Sequence, residues 1–164
     1  MTPGFVDIPP PYPPVADVLP HEPPMVLLDT ILRVSKDTAT AAVTIRPDAV
    51  FADRRGVPAV VAVEYLAQAV GVMLGTQARF VGAKVTGGYV VGVPRLALHT
   101  ERFSVGDRLT VTVRHVWGEA ELWKFHGTVA RGETCLAEGD VSILRFAPDP
   151  ADLARLTNGA DPGT

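Results

Sequence analysis

Nineteen consecutive residues, Val57 to Gly75, carry a single charge, Glu64. Pro58 suits the first turn of a helix and Gly82 its end. The run therefore reads as one helix over residues 59–81, roughly 30 Å long at 1.5 Å rise per residue. It is apolar on nearly every face, and such a helix must be buried all round. A membrane span is the rival reading, but Glu64 near the bilayer centre would be expensive. The stretch is also rich in Ala and Gly, and Arg54, Arg55, Arg79 and Lys84 flank both ends, which specifies no orientation. No membrane span is expected, so the helix needs a protein wrapping.

The flanking sequence supplies one. Met25–Leu32 and Thr38–Ile45 read as strands joined at Lys36-Asp37. After the helix come four strand-like runs: Gly88–Val93, Arg108–Trp117, Leu122–Arg131 and Thr134–Phe146. Turn-like separators lie at residues 104–107, Gly118-Glu119 and Gly132-Glu133. Thr110-Val111-Thr112-Val113 alternates as a half-buried antiparallel strand should. The expected fold is α+β, a hot-dog arrangement with an antiparallel sheet wrapped around one long buried helix.

At 164 residues the chain suits one domain with a sizeable core. Nine of its fifteen prolines fall in the first 24 residues, and Pro9-Pro10-Pro11-Tyr12-Pro13-Pro14 reads as an extended polyproline segment. The expected division is a Pro-rich arm over 1–15, the hot-dog domain over 16–147, and a short, partly disordered C-terminal tail over 148–164. A formal charge of -3 without a Lys/Arg cluster offers nucleic acid no electrostatic footprint. The single cysteine, Cys135, excludes an internal disulfide framework and fits a reducing cytosol. It is expected to be a buried, inert thiol. No signal peptide is read at the N-terminus, so a cytoplasmic location is expected.

Glu64 itself needs a chemical explanation. A carboxylate in apolar surroundings costs several kcal/mol unless it is paired or protonated, and such surroundings push a carboxyl toward the range useful for acid–base work. Gln68 follows at i+4 on the same face, and Gly71 and Gly75 continue that stripe. Small residues there let another helix or a ligand approach closely. The alternative for Glu64 and Gln68 is a hydrogen-bonded pair in a dimer seam. His21 lies in Leu19-Pro20-His21-Glu22-Pro23-Pro24, where the prolines stiffen the loop. It is either an acid–base group near neutral pH or a surface histidine. His99, His115 and His126 read as sheet-face residues. None shows metal-ligand spacing, so no metal is expected. There is also no phosphate-binding glycine loop and no Gly-x-Ser-x-Gly elbow.

These pieces resemble the 3-hydroxyacyl-ACP dehydratase family of hot-dog proteins, in order over residues 16–147. Leu19-Pro20-His21-Glu22-Pro23-Pro24-Met25-Val26-Leu27-Leu28-Asp29 is similar to the family's opening segment. Val57 to Ala69 resembles its helix start, with Glu-x-x-Ala-Gln intact as Glu64 to Gln68. Val105-Gly106-Asp107 is similar to its Pro-Gly-Asp turn, and Phe125 to Ala137 to its closing strand pair. One departure stands out: the family's best-known members place a catalytic histidine in a Gly-His-Phe segment, and Val50 precedes Phe51 here. Ala59 likewise replaces a glycine. In this the chain resembles the divergent branch found in aryl-polyene and related polyketide clusters.

The resemblance implies dehydration of a 3-hydroxyacyl thioester, ACP-linked, to a trans-2-enoyl thioester. It implies a His–carboxylate pair shared across a dimer interface, with His21 standing in for the absent histidine beside Glu64. The expected substrate-binding residues are Ala59 and Val60, whose N–H groups at the helix start would hold an oxyanion, and Gln68 along the acyl path. The thioester is itself the electron sink, so no cofactor is expected. The implied partners are an acyl carrier protein and a second hot-dog subunit, identical or different. Two other activities fit these residues: a hot-dog acyl thioesterase, and a non-catalytic partner subunit of a dehydratase.

Overall fold

The computed structural model describes residues 4–145, so the tail expected from residue 148 lies outside the described residues. Six strands form one sheet: β1 (Thr30–Val34), β2 (Thr38–Thr44), β4 (Gly88–Leu98), β6 (Arg108–Glu119), β7 (Leu122–Arg131) and β8 (Thr134–Arg145). A small ladder pairs β3 (Val57–Pro58) with β5 (Arg102–Phe103). The sheet order is β1-β2-β6-β7-β8-β4, antiparallel throughout. Between β2 and β4 the chain crosses from one side of the sheet to its far edge, and α1 (Ala62–Phe80) makes that crossing. This is the hot-dog fold. It follows from the alternation of the strands: Leu109, Val111 and Val113 of β6 and Phe125 and Val129 of β7 point inward, and they are buried with Leu66, Val70 and Met73 of the helix in one core. The Ala59–Phe80 segment is long and apolar enough to cross a membrane, but most of it is buried inside this domain.

Several local expectations need correction. Residues 25–29 form no strand, and β1 begins only at Thr30. The reason is that the Leu27 N–H and the Met25 carbonyl are hydrogen-bonded to the Gln68 side chain rather than to a neighbouring strand. Residues 59–61 form a 3-10 turn before the α-helix proper. Gly82 adopts φ +70 just beyond the helix, a left-handed conformation that glycine accepts without penalty. β4 runs past Val93 and through Pro94 to Leu98; it is an edge strand, with register shifts between Val90 and Arg95, and such positions tolerate proline. The β6–β7 turn falls at Ala120-Glu121 rather than at Gly118-Glu119.

The helix is also not buried all round. A stripe through Glu64, Ala67, Gly71 and Leu74 is only half-buried, and Val60 is exposed. One chain's sheet covers one side of α1, and the open side faces a cleft bordered by the start of β4.

Candidate active site

The stripe of small residues on α1 positions the site. A Cβ on Gly75 would fall 2.9 Å from the carbonyl carbon of Val18, and closer still to its oxygen. A Cβ on Gly71 would fall 2.6 Å from Leu19 Cδ2. What approaches the glycine stripe is therefore the chain's own Val18-Leu19 segment, laid flat on the helix. Val18 and Leu19 are buried there, and the next residues, Pro20 and His21, reach the cleft.

His21 Nε2 lies 3.4 Å from Glu64 Oε1, with about a third of each side chain exposed. The pair is formed within one chain, where the resemblance implies a pair shared between subunits. Glu64 is held from behind by the residue one turn on: Gln68 Nε2 donates to Glu64 Oε1 at 2.8 Å. The same amide nitrogen donates to the Met25 carbonyl at 2.6 Å, and Gln68 Oε1 accepts the Leu27 N–H at 2.9 Å. Gln68 thus ties the carboxylate to the segment that follows the His21 loop. His21 Nδ1 is buried and has no hydrogen-bond partner among the described residues. The cleft has a volume of about 220 Å³, and its lining includes His21, Glu64, Gly71, Leu74, Tyr89 and Ile143. It presents two acid–base groups beside mostly apolar side chains.

Other expected site residues take different places. Gln68 is fully buried with its amide already bonded, so it positions Glu64 rather than lining the acyl path. The Ala59 N–H donates to the Glu101 carbonyl at 2.9 Å, and Ala59 is buried, so this group is not free for an oxyanion. Its bond extends the β3–β5 ladder, which pairs Pro58 with Arg102. Val60 lies on the open stripe, four residues before Glu64. Val50, at the position of the family's usual histidine, is exposed. Tyr65 points into the core against Phe103, and burial pushes its phenol up to about 12, so it stays protonated. The cleft wall from Thr86 to Val90 was not anticipated as part of the site. Gly87-Gly88 was the signal available there, but only the strand order shows that it faces the helix.

Comparison with known proteins identifies the family. The ApeP-like family model, described as ApeP dehydratase, matches residues 13–157. The chain belongs to the ApeP-like dehydratase family. The match spans both the His21 loop and the Glu64 helix of this ApeP-like chain. No curated protein matches it. A solved structure described as the dehydratase heterocomplex ApeI:P from Xenorhabdus doucetiae is similar, with 27% identity and a TM-score of 0.79 over 90% of this chain and 99% of that one. Two more distant structures share the fold. One is an HP0420 homologue from Helicobacter felis, with 14% identity and a TM-score of 0.60 over 80% and 99% of the two chains. The other is a hypothetical thioesterase with coenzyme A from Streptococcus pneumoniae TIGR4, with 8% identity and a TM-score of 0.58 over 73% and 86%.

Proposed function

We propose that this ApeP-like chain dehydrates 3-hydroxyacyl thioesters, carried on acyl carrier protein, to trans-2-enoyl thioesters in the cytoplasm. The observation that carries the reading is the 3.4 Å approach of His21 Nε2 to Glu64 Oε1 at an apolar cleft. The reaction removes a weakly acidic α-proton and protonates a leaving hydroxyl. His21 Nε2 takes the α-proton. Protonated Glu64, directly or through water, delivers a proton to the hydroxyl, which leaves as water. The electron pair from the broken C–H bond forms the new double bond, with the thioester carbonyl carrying the charge that develops. The imidazolium then faces a carboxylate 3.4 Å away, and passing its proton across restores both groups. The proton taken from carbon at one turnover thus supplies the water released at the next.

A second hot-dog subunit is the proposed partner. β4 is an edge strand, and it exposes Tyr89, Val90, Val91 and Val93 in succession. An edge strand this apolar is a ready template for another strand. The similar ApeI:P structure is described as a heterocomplex, and the proposal extends that kind of assembly to this chain.

The test is to incubate purified protein with a 3-hydroxyacyl-ACP, with and without a second hot-dog subunit, and follow the loss of water by mass. Glu64→Gln and His21→Ala are each expected to lower turnover by about 10²-fold or more. Unchanged turnover in both variants would sink the assignment. Release of free acid and thiol would indicate a thioesterase, and inactivity in every mixture a non-catalytic subunit.

A further inference from the structure

On the face of the sheet turned away from α1, three ligand-type side chains meet. Val129 of β7 pairs with Ala137 of β8, but the next residue, Ala130, pairs with Cys135. β8 therefore holds one extra residue at this point. Leu136 and Ala137 are both buried, as expected when a bulge turns two successive residues to one side. In a regular strand, residues three apart face opposite sides. The bulge cancels that rule and brings Cys135 and Glu138 out together. His99 comes from the neighbouring chain segment: its N–H donates to the Leu136 carbonyl at 2.8 Å, just past the β4 pairing of Leu98 with Ala137. A ring nitrogen of His99, Cys135 Sγ and a Glu138 carboxylate oxygen all lie within 4.8 Å of one another. Cys135 is half-buried rather than a core thiol, which corrects the sequence reading.

We propose that His99, Cys135 and Glu138 form a binding site for a zinc-class divalent cation. A thiolate, an imidazole and a carboxylate together favour a borderline-soft ion over magnesium or calcium. Three protein ligands leave the fourth tetrahedral position to water. With bonds of about 2.0–2.3 Å, tetrahedral ligand atoms sit roughly 3.5 Å apart, so the widest separation has to close by about 1 Å. His99 is about half exposed and free to swing by that amount. Arg95 Nη2 donates to Glu138 Oε1 at 2.9 Å. It holds the carboxylate beside His99 Nε2, 4.0 Å away, and bonds of this kind orient metal ligands from outside. Binding releases the Cys135 thiol proton to solvent, while His99 binds as the neutral ring, and nothing is oxidised or reduced. The ion would clip the end of β4 to the bulge of β8.

The test is titration of the full chain with Co²⁺ under a non-chelating reductant, followed by absorbance. The expected result is a sulfur-to-cobalt charge-transfer band that saturates at one equivalent and is displaced by Zn²⁺. Cys135→Ser should abolish the band. His99→Ala, at an exposed strand end where folding is not at stake, should weaken binding roughly tenfold or more. His21→Ala should leave the band intact. No band in the unmodified chain, a band that survives Cys135→Ser, or one lost equally in His21→Ala would overturn the proposal. Circular dichroism of each variant confirms that the fold is retained.

Discussion

Replacing Gly75 by alanine separates two effects of opposite sign. Within a helix, alanine is favoured over glycine by roughly 0.5–1 kcal/mol, so on propensity alone the variant should be more stable. The new Cβ, however, would stand 2.9 Å from the Val18 carbonyl carbon and 3.0 Å from its Cβ, with the carbonyl oxygen nearer still. Ordinary carbon contacts lie at about 3.5–4.0 Å, so the Val18 backbone must retreat by about 1 Å. Overpacking of this kind costs about 1–3 kcal/mol, which outweighs the gain in propensity. The net expectation is a loss of up to about 2.5 kcal/mol. His21 follows Val18 by three residues, and a misplacement of about 1 Å in a catalytic group can lower the rate about 10²-fold. Gly71→Ala is the control for stability alone, because its Cβ meets only the flexible tip of Leu19 while the residue itself lines the cleft. Thermal unfolding and the mass-based dehydration assay, run on both variants, decide the matter. Gly75→Ala with full stability and full turnover would refute the view that the helix glycines place His21.

Three further outcomes are expected. Gln68→Leu keeps the bulk but strands the partly buried Leu27 N–H and Met25 carbonyl, at no more than about 1–3 kcal/mol each; denaturant unfolding should show the loss, and turnover should fall because Glu64 loses its donor. His115 packs against Trp123 and Phe125, and burial, the largest influence, lowers its pKa. The unfolded chain therefore takes up the proton first, and stability should fall as pH drops below about 6.5, levelling off below the folded-state value; His115→Phe should flatten that part of the stability–pH curve. Val91→Lys, on the exposed β4 edge, should abolish association with a second hot-dog subunit in size-exclusion chromatography while leaving the thermal midpoint of the isolated chain nearly unchanged.

The fold was legible in the sequence where periodicity alone decides. The apolar run from Ala59 to Phe80 reads as a core helix once Glu64 weighs against a membrane span, and Thr110 to Val113 reads as a half-buried strand. Legibility failed where a side chain replaced a backbone partner: Met25 to Asp29 look like a strand, yet Gln68 supplies two of their hydrogen bonds. For the same reason Gln68 looked like a substrate ligand, since spacing puts it beside Glu64 but cannot show that its amide is already spent. Spacing also showed two glycines on the Glu64 face without showing what lies on them. The meeting of His99 with Cys135 and Glu138 depends on a bulge and on strand order, neither of which any local pattern in the chain announces.

The intramolecular His21–Glu64 pair has a genetic consequence. Were the two groups lent across an interface, a subunit lacking His21 and one lacking Glu64 could repair each other, because a mixed dimer would assemble one intact pair. With both groups on one chain, co-expression of His21→Ala and Glu64→Gln subunits should give no complementation. On the proposed catalytic role of this pair, the number of working sites in an assembly would equal the number of intact copies of this chain, and a partner subunit would be free to diverge at its own equivalents of both positions.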